Sequence, residues 1–171
     1  MVLFLFMKEF RFTNEHSSTD VADIVDVLRQ PRLWIPTAQD YPNHSAWLDK
    51  TEAQIASGTK RVMAAYMGRD AVGTVIYQRQ ADQPQTLEIR NISVSSDARG
   101  RYVGAFLLRN AEVEAVQNDF PDIEEFTIDT KVTNQEMVSF LEAQGYTIQD
   151  ITDLYGLGAG LDAVMTKPVV R

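Results

Sequence analysis

The chain has 171 residues, 44% hydrophobic and 23% charged, which suits one continuous core and argues against disorder. It carries no cysteine, so disulfides, thiolate zinc sites and a cysteine nucleophile are excluded, and a reducing, cytoplasmic setting is expected. The formal net charge of −8 repels phosphate backbones and argues against nucleic acid; it serves solubility first and tolerates a cationic molecule such as an amine.

Met1 to Met7 is apolar, but no basic residue precedes it, and Lys8, Glu9 and Arg11 follow at once. That order is the reverse of a secretory signal, and no stretch approaches the ~20 apolar residues of a membrane span. We read it as a first strand; translation from Met7 is the other reading. Ser17-Ser18-Thr19-Asp20 marks a helix start, with Val21, Ile24, Val25 and Leu28 at helical spacing and Pro31 as the stop. Arg32 to His44, with Pro36, Pro42, Trp34 and Tyr41, reads as a long loop. Ser45 to Ser57 forms a second helix closed by Gly58. Arg61 to Met67 and Ala71 to Arg79 form a hairpin about Gly68-Arg69-Asp70. A third strand follows at Thr86 to Val94, then a helix to about Gln117 broken by Phe120-Pro121-Asp122. Glu125 to Thr130 is a strand and Thr133 to Gln144 a helix ended by Gly145, with Thr133 and Glu136 at capping-box spacing. Tyr146 to Ile151 and Ala163 to Thr166 complete the strands. This order predicts a single α/β domain over 1–171, with a mixed, mostly antiparallel sheet flanked by helices.

Two places carry more than fold. In the third strand, Leu87 and Ile89 share one parity while Ile92 and Val94 share the other. One extra residue between Ile89 and Ile92 would restore a single apolar face, the trace of a β-bulge; a strand buried on both faces gives the same pattern. After Val94, the segment Ser95 to Gly104 opens a helix, with Gly100 and Gly104 flanking its start and Arg99 and Arg101 adding charge. Free amides and the positive end of the helix dipole suit a phosphate, although ordinary strand-to-helix turns look similar.

The run Arg99-Gly100-Arg101-Tyr102-Val103-Gly104 resembles the coenzyme-A loop of the GNAT N-acetyltransferases, whose pattern is Arg or Gln, two residues, Gly, one residue, then Gly or Ala. Arg99 and Gly104 match its ends, and Tyr102 stands at the middle glycine. A second run, Asn134 through Met137, Phe140 and Leu141 to Gly145-Tyr146, is similar to the family's C-terminal motif, and the family also places a bulge before the loop. The resemblance implies acetyl-CoA as cosubstrate. It implies that backbone near Ile92, Ser93 and Val94 holds the thioester and pantetheine. Amides from Arg99, Gly100, Arg101, Tyr102, Val103 and Gly104 would hold the pyrophosphate, with Asn134 at the second motif. It also implies an amine acceptor, a small molecule or a protein amino group, and a tendency to homodimerise.

Acetyl transfer to an amine requires a proton acceptor, a polarised carbonyl and a stabilised thiolate. Glu88 lies eleven positions before Arg99, the spacing of the base glutamate in histone-acetylating relatives; the alternative is a strand glutamate paired to Arg90 or Arg79. The family's usual acid tyrosine is replaced by Leu141. Tyr155, in the glycine-rich run from Asp153 to Gly160, is a replacement acid or part of a plain hairpin connection. His16 adjoins a helix cap and is expected to be exposed, and His44 lies on the early loop. No His, Asp or Glu spacing suggests a metal, and no G-x-S-x-G is present. Two other readings stand beside the transferase: a GNAT-fold module that holds acyl-CoA or a partner without efficient turnover, and a plain α/β interaction domain.

Overall fold

The computed structural model describes residues 10–29, 43–156, 158 and 160–171. Along these the elements are β1 (Phe10–Thr13), α1 (Ser18–Arg29), α2 (His44–Ala56), β2 (Arg61–Met67), β3 (Asp70–Arg79) and β4 (Thr86–Val94). They continue with α3 (Val103–Glu114), β5 (Glu125–Lys131), α4 (Gln135–Ala143), β6 (Thr147–Thr152) and β7 (Asp162–Pro168). The strands form one sheet in the order β1-β2-β3-β4-β5-β7-β6. Only β4 and β5 are parallel; the other neighbours are antiparallel, which is the expected mixed, mostly antiparallel sheet. The strand expected over 1–7, and Trp34 and Tyr41 of the expected loop, lie outside the described residues. β1 is an addition, carried by the alternation of Phe10 and Phe12, both packed against the core.

Local chemistry sets the helices. Ser17 N–H donates to Asp20 Oδ2 at 2.7 Å, and Asp20 N–H donates to Ser17 Oγ at 3.3 Å, a capping box with Asp in the third helical position. Val21, Ile24, Val25 and Leu28 then share one buried face. With Leu48 and Ile55 of α2 they cover Val62, Ala64 and Ile76 on one side of the sheet. On the other side, Leu107, Leu108 and Ala111 of α3 and Val138 and Leu141 of α4 pack on Leu87, Ile89, Phe126 and Ile128. The α3 spiral continues as a π turn over Ala115–Asp119, which brings Asp119 within 2.8 Å of the Tyr77 hydroxyl that donates to it.

Two local expectations change. α4 is capped by Asn134 rather than by Thr133 and Glu136: its Oδ1 accepts the Met137 N–H at 3.2 Å. His16 is half-buried, not exposed, with Nε2 3.2 Å from the Val62 carbonyl oxygen, and burial pulls its pKa down.

Two features of the sheet shape the region around the end of β4. β4 and β5 pair only from Thr86 to Ile89 and from Glu125 to Ile128; beyond that, β4 continues against β3 and β5 against β7. The β3–β4 register also skips Arg90, since Ile76 faces Asn91 and Tyr77 faces Ile89. Arg90 is therefore the extra residue of a bulge, and Leu87, Ile89, Ile92 and Val94 all reach the α3 side.

Gly73, opposite Val94 on β3, lets α3 rest on strand backbone. A Cβ there would lie 2.8 Å from Leu107 Cδ1 and 3.2 Å from the Ser93 carbonyl oxygen. Gly73→Ala is expected to cost about 1–3 kcal/mol by overpacking, read as a lower urea midpoint at unchanged slope. An unshifted midpoint would show that α3 yields there without cost.

Candidate functional site

The end of β4, the start of α3 and the start of α4 enclose a cavity of ≈ 400 Å³, within the range of small-molecule sites. Ile92, Ser93 and Val94 supply its strand wall. Arg99, Gly100, Tyr102, Val103 and Gly104 supply the rim at α3. Asn134 stands at the far side with Met137 and Phe140 of α4, and Val27 of α1 also lines it. Nine of the ten residues expected at the cofactor are thus brought together. Arg101 is not among the lining residues; its guanidinium lies 4.7 Å from the centre of the Phe10 ring on β1. Among the lining residues that sequence reasoning missed are Val27, Met137 and Phe140. The last two carried a signal, a shared apolar face on α4, but that face reads equally well as core.

The rim is built from backbone. Arg99 Nε donates to the Val94 carbonyl at 2.9 Å, which ties the loop to the end of the strand, while the Arg99 N–H is used by Ser96 O at 3.3 Å. Gly100 has φ 69° and Tyr102 has φ 62° with ψ 10°. Tyr102 is the one non-glycine residue with positive φ among the described residues. It therefore keeps the left-handed backbone that glycine favours, not the helical φ that would make a side chain harmless there. Its side chain avoids the cavity's depth by standing out in solvent, 70% exposed. Tyr102 is also the N-cap of α3 and makes no side-chain cap bond. The first helical bond runs from Phe106 N–H to the Tyr102 carbonyl at 3.1 Å. The amides of Val103, Gly104 and Ala105 precede that bond, and all three residues line the cavity. Uncapped amides and the helix dipole together suit an anionic ligand.

The residues of the second motif divide between wall and frame. Asn134 is buried, and its Oδ1 is spent on capping α4. Leu141 is wholly buried in the core, so the position of the family's acid tyrosine holds no proton donor. Tyr146 is buried as well, its hydroxyl donating to Glu112 Oε1 at 2.8 Å, while Lys167 Nζ donates to Glu112 Oε2 at 2.7 Å.

A polar cluster occupies the opposite side of the sheet, where β4 and β5 part. Glu88 accepts a bond from Gln78 Nε2 at 3.1 Å and is ion-paired with Arg90. Asp129 of β5 accepts a bond from the Tyr155 hydroxyl at 2.9 Å. Burial pushes the Asp129 carboxyl above the usual carboxylate range, against the opposing pull of the Tyr155 bond and the Arg90 charge. Lys60, next to this cluster, donates to Thr51 Oγ1 at 3.1 Å; burial and the Arg90 charge lower its pKa to about 8. Tyr155 is 41% exposed and reaches Asp129 from the segment between β6 and β7.

Residues 22–146 match the model of the Acetyltransferase (GNAT) family. No curated protein matches the chain. Several solved structures share the fold. One is a putative GNAT-family acetyltransferase from Desulfovibrio desulfuricans, 12% identical, covering 94% of this chain and 99% of its own, with TM-score 0.76. The PaiA N-acetyltransferase of Thermoplasma acidophilum, in complex with coenzyme A, is 17% identical over 94% and 99% of the two chains, with TM-score 0.69. The ribosomal-protein-S18-alanine N-acetyltransferase of Escherichia coli is 14% identical over 95% of each, also at 0.69. Such low identities speak to fold alone.

The left-handed Tyr102 gives a stability test. A non-glycine residue there bears a backbone cost of about 1–2 kcal/mol, which glycine avoids at some cost in unfolded-chain entropy. Tyr102→Gly should therefore be more stable than Tyr102→Ala by about 1 kcal/mol in urea denaturation. Equal midpoints would mean that the backbone at 102 relaxes out of the left-handed region.

Proposed function

Because the chain belongs to the GNAT acetyltransferase family, we propose that it transfers an acetyl group from acetyl-CoA to an acceptor amine by direct attack, with residues 1–171 acting as one such domain. The supporting observation is that the two motif segments, separated in sequence by α3's length and β5, converge on one cavity at the end of β4. The residues fit the cosubstrate: a strand end whose β5 side is unpaired past Ile89, and a helix start with uncapped amides. In this reading the pantetheine lies along Ile92, Ser93 and Val94, and the pyrophosphate at Gly100 to Gly104 with Arg99 beside it. Asn134 holds the far wall by fixing the start of α4. Acetyl-CoA supplies the activated acyl group.

The acceptor comes from the other side of the sheet, where Glu88, Arg90, Asp129 and Tyr155 gather. Its class is an amine of a small molecule or of a protein, and the carboxylates there suit a cation. The buried Leu141 favours a second reading, a module that holds acyl-CoA without efficient turnover, because no acid stands where the family often has one. Turnover against an amine panel separates the two.

Titration calorimetry with acetyl-CoA is expected to give a micromolar Kd. A Cβ at Gly104 would meet Val94 Cγ2 at 3.6 Å and Phe140 Cζ at 3.8 Å, ordinary contacts, so Gly104→Ala should keep that affinity. Gly104→Asp adds charge beside the expected pyrophosphate and should weaken binding about tenfold or more. Equal affinity of a folded Gly104→Asp variant would displace the site from this loop. We also assign Glu88 a supporting part at the acceptor side, through its ion pair with Arg90: Glu88→Gln should lower turnover and leave the acetyl-CoA Kd unchanged. Wild-type rates across pH would remove it from that role.

A further inference from the structure

β4 and β5 separate after Ile89 and Ile128, and the next residues on the two strands are Arg90 and Asp129. The cavity meets the sheet just beyond this point, at Ile92. Ile128 belongs to the core beneath α3, so strand alternation turns Asp129 to the opposite side. Asp129 therefore stands where the two strands open, on the side from which an acceptor would approach a thioester lying between them.

The two carboxylates at this place are differently committed. Glu88 is held by Gln78 Nε2 and by the Arg90 guanidinium. Both Glu88 oxygens are thereby engaged, Oε2 by the amide and Oε1 by the guanidinium, so neither is open to an incoming ammonium group. Asp129 is bonded through Oδ2 to a neutral hydroxyl, that of Tyr155. We propose that Asp129 takes the proton from the acceptor's ammonium group, that Tyr155 yields its place on Oδ2 to that group, and that Glu88 acts through Arg90 by keeping the guanidinium engaged. This assignment rests on the acetyl-transfer reading. It names the acceptor as a cationic primary amine.

The proton balance is simple. An alkylammonium group is almost wholly protonated at neutral pH and has no electron pair to offer. Its proton passes to an Asp129 oxygen, directly or through one water. The freed pair forms the C–N bond to the acetyl carbonyl as the C–S bond breaks. The sulfur leaves as thiolate and takes up the second nitrogen proton, so no oxidant or metal enters. A carboxylate moved upward toward the working pH is the better base for this step. The groups acting on Asp129 are mixed in sign. Burial is the largest and raises its pKa, and Asp162 on β7 and Glu88 on β4 add to it; the Tyr155 bond and Arg90 oppose it. Lys131, on the same strand as Asp129, is paired with Asp162 Oδ1 at 2.9 Å.

The test compares Asp129→Asn, Glu88→Gln and Tyr155→Phe with wild type, using spermidine and an alanine-amide peptide as amine probes and calorimetry for acetyl-CoA. Asp129→Asn should lower kcat/KM for an accepted amine about 100-fold at pH 7.5 and leave the acetyl-CoA Kd within twofold. With spermidine, its residual rate should climb about tenfold per pH unit as free alkylamine accumulates. Glu88→Gln should lose less than Asp129→Asn, since it removes only Arg90's partner. In the protein without acetyl-CoA, the Asp129 carboxyl carbon, identified by its absence in Asp129→Asn, should titrate above the usual carboxylate range by NMR. Tyr155→Phe should move that titration further up, because it removes a bond that stabilises the carboxylate. Asp129→Asn within threefold of wild type, in a folded variant, would overturn the assignment. Failure of the acetyl-transfer reading looks different: wild type itself would then bind acetyl-CoA but acylate neither probe, or would not bind it at all.

Discussion

Pairing between β4 and β5 stops at Ile89 and Ile128, and most of what this molecule offers a ligand depends on that interruption. A parallel pair carried to the strand ends would satisfy every backbone group and close the sheet. Here the partners diverge: β4 runs on with β3, and β5 turns to β7. The remaining edge of β4 lacks a β5 partner within the body of the domain, which ordinarily carries a cost. It becomes tolerable where a ligand can supply the missing partner. The bulge at Arg90 belongs to the same event, because it resets the strand so that Ile92 and Val94 still face the core after the divergence.

The loop onto α3 solves a related problem. The chain must leave the end of β4 and enter a helix pressed against Gly73 within a few residues. Left-handed steps at Gly100 and Tyr102 make that turn. Glycine would make the second step without strain, and a tyrosine persists there with its ring in solvent. Strain of this kind is retained where the surrounding structure over-determines the backbone. The Arg99 bond to the Val94 carbonyl and the packing of Val103 beneath the turn provide that support.

Much of this was legible in the sequence, and the reasons are specific. The parity change between Ile89 and Ile92 marked the bulge, because strand periodicity is strict enough for one extra residue to show. The motif residues from Ile92 to Gly104, with Asn134, fell around one cavity except for Arg101. Arg101 illustrates the limit: a charge at a helix start predicts a ligand only if its side chain points that way, and here a ring on β1 holds it. His16 misled for the same reason, since proximity to a cap says nothing about the Val62 carbonyl, 46 positions away. The Asp129–Tyr155 contact spans 26 positions and joins a strand to a glycine-rich segment. No local pattern encodes it, and alternation alone reads Asp129 as the polar face of an ordinary strand.

The second motif shows how one sequence feature can serve two ends. Gly145-Tyr146 follows a helix whose start, Asn134, borders the cavity, yet Tyr146 itself is buried against Glu112. Glu112 lies on α3 and is also bonded by Lys167 of β7. Burial and the Glu112 carboxylate push the Tyr146 hydroxyl's pKa upward, so it stays a neutral donor and the carboxylate has two donors for its two oxygens. A buried charge left without such donors would be strongly destabilising. This triad joins α3 to the β6–β7 edge on the same side of the sheet as the cavity. The helix whose first amides border the cavity is thereby held, about two and a half turns later, by the residue that ends the α4 motif. The motif's tyrosine thus bears on the site through α3's placement, not through contact with anything bound there.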